Sequence, residues 1–280
     1  MNIGWIVDFT IKEIPTGGAE LTDSFVIKAG RDLGFNIEII RPDTFSSLDK
    51  YDLLVVSNNY SFNNEQRNLI CQHKNFICYN HDAGNWLRVA KSFPQLLKKA
   101  KLNIFLSPLH RRQFQAFTMQ DYIDIPPHFP FYFTDYGMPR NGRAVYAGNI
   151  HEGKGLWEII KFAEQYPEII IDFYYKRASH PILEKLRRLS NCNLCGFVPH
   201  KKMAEIYNKY TYLIHLPLCI DAYCRMVGEA FLCGCKLILN NRVGAKSFSW
   251  FGDYRKMRKY TLNSHYYFWE VLKKKRIICL

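Results

Sequence analysis

The chain has 280 residues, 48% of them hydrophobic and 22% charged, with 38 Lys and Arg against 25 Asp and Glu for a formal net charge of +13. That composition excludes a disordered or fibrous chain and leaves room for two domains of ordinary size. The positive excess calls for an anionic partner, whether a phosphorylated small molecule, nucleic acid or an anionic membrane surface. The opening residues MNIGWIVDF carry no basic head or cleavage site, and no run reaches the ~18–20 apolar residues that span a bilayer. The expectation is a cytoplasmic protein, soluble or peripheral to a membrane. Nine cysteines, an odd number scattered through apparent strands and helices, are expected as reduced, buried thiols and not as a disulfide framework.

In chain order, short Ile-, Val-, Tyr- and Phe-rich runs predict strands at 2–8, 35–40, 52–57, 76–80 and 103–107, with helices between them that include 18–34 and 108–117. The stretch EIPTGGAELTD (13–23) leads into the first helix, which Gly34 ends. Gly17 and Gly18 there allow close backbone approach, and the helix N-terminus offers free N–H groups. It is neither a G-x-G-x-x-G fingerprint nor a P-loop, and a plain tight turn is the alternative. His81 and Asp82 follow the fourth strand, placed either to orient a sugar hydroxyl or to form a simple surface pair.

Residues 125–143 hold four prolines and two glycines and read as an interdomain linker. Strand–helix alternation restarts beyond it: strands at 143–148, 168–175, 193–198, 211–217 and 236–240, helices near 155–166, 181–189, 200–210 and 223–233. Such alternation predicts parallel sheets covered on both faces, hence an α/β protein of two doubly wound Rossmann-like domains facing a cleft. The domains are drawn at 1–130 and 141–262, with a C-terminal helix at 263–280 whose return to the first domain is left open. Ligands bind such sheets beyond the carboxyl ends of the strands.

Two stretches of the second half sit at that place. In VYAGNIHEGKGLWEII (145–160), Gly148 and Asn149 follow a strand, and Lys154 stands between Gly153 and Gly155 at a helix entrance. A lysine there adds a full charge to the helix dipole and suits a diphosphate; a solvated turn lysine is the alternative. In DAYCRMVGEAFLCGC (221–235), Asp221 lies at the mouth of a helix and Glu229 about two turns in, with Gly228 beside it. A carboxylate among apolar neighbours needs a partner. That partner is either a vicinal diol such as a ribose, which a carboxylate accepts side by side, or a neighbouring Arg or Lys.

Cys192-x-x-Cys195 followed by His200, with Cys233-x-Cys235 downstream, has poor spacing for structural zinc. No D-x-D pair is present to hold a metal–diphosphate complex, so metal-independent chemistry is expected. Residues 254–280 carry eight Lys or Arg against Glu270 alone, interleaved with aromatics: a helix packing its aromatic face on the core, or a basic surface for phosphate or anionic lipid.

Taken together, these residues resemble the retaining glycosyltransferases of the GT-B fold, family four (glycosyl transferases group 1), over most of the chain. The specific block is 215–240, where Asp221 and Glu229 match an acidic pair separated by seven residues. Gly17 and Gly18, His81, and Gly148 with Lys154 match the family's other motifs. The resemblance implies a nucleoside diphosphate sugar as donor, a UDP-sugar above all, with no other cofactor. Glu229 is then expected on the ribose, Asp221 on the sugar, Lys154 on the diphosphate and His81 on the acceptor side, with anomeric configuration retained. Asn149 stands where the family has Arg, so Arg225, Lys176 or Arg177 is the expected second cation. Asp221 is one methylene shorter than the family's Glu. The acceptor stays open between a glycan or lipid-linked saccharide and hydroxymethylated DNA, as in phage-type DNA modification. A non-catalytic nucleotide-sugar-binding protein and an epimerase-like enzyme are further alternatives.

Overall fold

Apolar runs of three to five residues become strands wherever turn formers bound them, and every strand pairs in parallel with its neighbours. The computed structural model describes residues 1–8 and 17–278. The chain divides into two units: unit 1 is Met1–His128 with Tyr260–Leu280, and unit 2 is Phe129–Lys259.

Unit 1 begins with β1 (Asn2–Ile6), α1 (Gly18–Asp32), β2 (Asn36–Ile40), β3 (Leu53–Val56) and α2 (Asn64–Gln72). It continues through β4 (Phe76–Tyr79), α3 (Gly84–Ser92), α4 (Gln95–Lys99), β5 (Asn103–Phe105), α5 (Pro108–Arg112) and β6 (Tyr122–Asp124). The strand order is β2-β1-β3-β4-β5-β6, so the chain reverses direction across the sheet between β1 and β3. Local chemistry sets the helix starts. Asn63 caps α2 by accepting from the Gln66 N–H, and Gln66 returns a bond to the Asn63 N–H. Ser107 accepts from the His110 N–H at the head of α5, where Pro108 occupies the first turn. The helix expected over 108–117 stops at Arg112 and gives way to turns. β6 escapes a sequence reading because its three residues, half-exposed at the sheet edge, make no apolar run.

Unit 2 contains β7 (Ala144–Ala147), α6 (Leu156–Gln165), β8 (Ile171–Tyr174), α7 (His180–Arg187) and β9 (Cys192–Gly196). α8 (Met203–Tyr207), β10 (Tyr212–His215), α9 (Arg225–Leu232) and β11 (Lys236–Leu239) complete its sheet, in the order β11-β10-β7-β8-β9. Counted within the unit this is the 3-2-1-4-5 arrangement read from the far edge, and its reversal lies between β7 and β10. The Pro-rich stretch holds the boundary between the units, which falls after His128, and its two halves differ. Residues 125–130 are all buried, and the Phe129 ring lies where a Cβ on Gly228 would meet it at 2.4 Å. Gly228 therefore accommodates a phenyl ring of its own unit.

α10 (Tyr254–Leu262) runs to the end of unit 2, and the unit boundary falls inside it. α11 (Ser264–Lys274) then packs against α1. Its Phe268 and Trp269 are fully buried, and the Trp269 indole N–H donates to the Val26 carbonyl. These two aromatics are core residues of unit 1, whereas Tyr260 and Tyr267 are exposed. Cys192 and Cys195 stand three apart on β9, one buried and one exposed, and odd spacing on a strand sends side chains to opposite faces. They do not converge on a shared ion. All eight described cysteines are free thiols. No helix among the described residues is long and apolar enough to cross a membrane.

The seat of α11 rests on a missing methyl. A Cβ at Gly30 would lie 2.4 Å from the Trp269 ring. Gly30→Ala is expected to destabilise unit 1 by about 1–3 kcal/mol through overpacking. Urea unfolding read by tryptophan fluorescence checks it, and an unchanged midpoint would show that α11 is not held there.

Candidate functional site

The reversal of strand order in unit 2 leaves a gap beyond the carboxyl ends of β7 and β10, and the two loops entering it carry the charged residues. Gly155 brings them together. Its φ is 74°, and a Cβ on it would lie 1.8 Å from the Leu216 carbonyl oxygen. Only glycine lets the head of α6 approach the loop after β10 so closely. The result is an ion pair: Lys154 Nζ donates to Asp221 Oδ2 at 2.8 Å, and His215 Nε2 lies 3.2 Å from the same oxygen.

Asp221 is fixed from both sides. Its N–H donates to the Arg242 carbonyl, and its own carbonyl accepts from the Gly244 N–H, in a parallel bridge to Val243. Burial alone would raise its carboxyl, but the charge of Lys154 and the hydrogen bonds from His215 and Lys154 outweigh it and hold the group well below the usual carboxylate range. His215 is fully buried at the end of β10, and its Nδ1 has no partner. Nε2 therefore carries a proton that it donates toward Asp221. Three residues further on, Cys224 takes φ 70°, ψ 90°. A side-chain-bearing residue there stores strain, directly between Asp221 and the head of α9.

α9 begins at Arg225, so Glu229 is one turn in, where the sequence suggested two. That start puts Arg225 and Glu229 at i and i+4 on one face. Arg225 lies 3.3 Å from Glu229 Oε1, and His200 Nε2 reaches the same oxygen at 2.8 Å. The Glu229 side chain is 4% exposed. Burial pushes its carboxyl up, and the neighbouring His200 and Arg225 pull it below the usual range. Of the two partners weighed from sequence, the free chain displays the protein one. The Arg225 guanidinium also sits 5.0 Å over the Phe129 ring.

The remaining expected residues of unit 2 line the same strand ends. Gly148 and Asn149 follow β7, with the Tyr146 hydroxyl donating to the Asn149 carbonyl. Ile150 bridges to Ala178, which sets the exposed Lys176 and Arg177 of the β8 loop beside the β7 loop.

In unit 1, residues 13–16 of the glycine motif lie outside the described residues. Gly17 caps α1, its N–H donating to Glu20 Oε2, and Gly18 opens the helix. His81 is no surface partner of Asp82: it is buried, and its Nε2 lies 2.8 Å from Asp23 Oδ1 while Ser57 donates to Asp23 Oδ2. Asp82 instead accepts from the Tyr60 hydroxyl and the Asn85 N–H. The sequence reading missed Asp23, His215 and Cys224, and weighed His200 only as a metal ligand beside Cys192 and Cys195, where its partner is Glu229. His215 left a signal, a histidine inside the apolar run YLIHLP; the others are ordinary residues whose roles come from folding.

Among the described residues, His215, Asp221 and Cys224 are the set close enough to hold a metal ion, with ligand atoms within 4.8 Å of one another. Lys154 already supplies a cation to Asp221, and burial holds the Cys224 thiol well above its ordinary value, in its protonated form. The set fits an ammonium better than an ion.

No family model matches the sequence, and no curated protein matches it. Solved structures do. HepE of Anabaena, crystallised with UDP and glucose, is similar at TM-score 0.70 and 15% identity, over 98% of this chain and 100% of its own. A glycosyltransferase from Rickettsia africae ESF-5 is similar at TM-score 0.69 and 14% identity, covering 98% of each chain. AviGT4, a glycosyltransferase of avilamycin A biosynthesis, gives TM-score 0.65 at 10% identity, covering 98% and 97%. At such identities the likeness establishes the fold: mixed α/β, two parallel-sheet Rossmann-like domains of the GT-B class.

Asp221 and Glu229 both have folded pKa values below their ordinary ones, so their stabilisation is present above pH ~4 and lost as pH falls through and below it. The urea midpoint of unit 2 is expected to drop between pH 5 and 3 on that account. Asp221→Asn should lower the midpoint at pH 7 and flatten the acid-side decline. A decline as steep as in the parent chain would remove Asp221 from the linkage.

Proposed function

We propose that the chain transfers a sugar from a nucleoside diphosphate sugar, a UDP-sugar, to an acceptor hydroxyl. The observation that carries the reading is the Lys154–Asp221 pair at the strand-order reversal of unit 2. It is supported by a fold shared with glycosyltransferases, among them HepE, which has also been crystallised with UDP-glucose. A cation held at a helix entrance beyond two strand ends is what a departing diphosphate requires.

On this reading Lys154 exchanges the Asp221 carboxylate for the diphosphate and stabilises the charge that develops as the glycosidic bond breaks. Asp221, still bonded to His215, is released to accept from a sugar hydroxyl. Arg225 is the second cation in place of the arginine that Asn149 replaces, and Glu229 with His200 holds it in position. Contact of Glu229 with the ribose requires one of those partners to let go. Unit 1 takes the acceptor, a glycan or lipid-linked saccharide, with His81 on its side. Family-four kinship, retention of configuration and metal-independent turnover belong to this proposal, on the acidic pair and the lysine-filled trio.

Lys154→Ala is expected to lower turnover roughly 10²–10³-fold, with nucleoside diphosphate release as the readout in a screen of UDP-sugars against glycan and lipid acceptors. Near-parental turnover would sink the mechanism, and donor bound but never consumed would favour a binding protein. Glu229→Gln separates the two roles of that residue. A ribose contact predicts a raised donor KM with kcat kept, whereas a brace for Arg225 predicts a loss in kcat with a lowered unfolding midpoint.

A further inference from the structure

Residues 83–120 contain seven Lys or Arg and not one Asp or Glu. The fold turns this run into a layer. Trp86, Val89 and Ala90 of α3, Leu96 and Leu97 of α4, and Phe114 beyond α5 join Ile70 and Cys71 of α2 in one core on a single face of the unit 1 sheet. With those residues turned inward, the charged ones face out. Arg88, Lys91, Lys98, Lys99, Lys101 and Arg112 are all exposed, and none is ion-paired among the described residues. Arg111 alone is neutralised, by Asp124. Leu87 and Phe93 are half-buried, Leu69 on the adjoining α2 is 45% exposed, and Gly84, Leu87, Arg88, Lys91 and Ser92 border an open depression of about 460 Å³.

We propose that this layer docks the protein onto an anionic lipid surface. Six cations with no ion pair among the described residues, on α3, α4 and α5 and just beyond α4, present a broad positive face, and the run 83–120 that bears them holds no acid; carboxylates outside that run include Asp124, paired with Arg111, and Glu65 on the adjoining α2. The interspersed Leu69, Leu87 and Phe93 favour lipid over nucleic acid. Apolar side chains gain by entering the headgroup boundary and gain little against a phosphodiester backbone. The layer also differs from the surface suggested by the C-terminal lysines, where Lys275 is bonded to Asp121. The proposal is independent of the sugar-transfer reading, since binding is measured without donor or acceptor.

The test is co-sedimentation of the full chain with vesicles of equal parts phosphatidylglycerol and phosphatidylcholine, beside pure phosphatidylcholine vesicles and a duplex DNA competitor. Binding to the anionic vesicles alone, weakened by salt, is expected. Arg88→Glu, Lys91→Glu, Lys98→Glu and Lys99→Glu combined should weaken it by at least about fivefold per cation lost, hence several hundredfold or more, since each change also adds a repelled negative charge. Should that variant fold poorly, Arg88→Gln with Lys91→Gln is expected to give a loss of about 25-fold on the same scale. Lys273→Glu with Lys274→Glu on α11 should cost far less. Absence of binding, equal binding to neutral vesicles, full binding by the α3–α4 variants, or displacement by DNA at lower concentration than by anionic lipid would each overturn the proposal.

Discussion

The ammonium of Lys154 held 2.8 Å from a carboxylate that folding has fixed in place is the interaction around which unit 2 is organised. It exists because the sheet reverses its strand order between β7 and β10 and because Gly155 lets the two following loops touch. A lysine is a flexible point charge, and without Asp221 it would wander in solvent. With Asp221 bonded also to His215, the cation waits at the helix entrance in roughly the place where a diphosphate would need it. The pair also explains how a buried carboxylate is tolerated there: burial that would otherwise be costly is offset by the ammonium beside it.

A second charged cluster, Arg225 with Glu229 and His200, lies one helical turn away and works by the same rule. Its carboxylate faces two protein donors, and its removal would strand a guanidinium that is itself packed on Phe129. Gly228 admits that ring, so the Pro-rich segment before β7 is part of the cluster's support. The strained backbone of Cys224 joins the two clusters along the chain, and such strain persists where surrounding structure over-determines it. The bridge of Asp221 to Val243 on one side and the start of α9 on the other supply that constraint.

Much of the fold was legible because buried parallel strands write themselves as continuous apolar runs, and the alternation with helices repeats in both halves. Strand ends then pointed to Lys154 and Asp221, which the structure brings together across 67 positions. What escaped was which partner each charged group takes. For Glu229 the sequence left a protein partner and a ligand both open, and the contacts with Arg225 and His200 are set by folding. His81 was read against its neighbour in sequence, Asp82, when its partner Asp23 is 58 positions away. Pairings of that kind are set by tertiary packing, and local spacing carries no trace of them.

Net charge was informative only in part, because a sum says nothing about where charge lies. The strand ends of unit 1, where a ligand would sit in a sheet of this order, collect carboxylates: Asp8 bonded to the Tyr60 and Ser61 N–H groups, Asp23 to His81, and Asp82 to Tyr60. Burial, with Asp82 among the further causes, raises the Asp8 carboxyl despite two backbone donors and the nearby Arg67, as expected when acids crowd one place. The cations of the same unit lie on its outer helical layer instead. An anionic acceptor would therefore meet repulsion at the strand ends, whereas a polyhydroxyl would find acceptors for its hydrogen bonds. Within unit 1, then, the exposed cations of α3, α4 and α5 and the carboxylates at the strand ends occupy different places, a separation that net charge does not reveal.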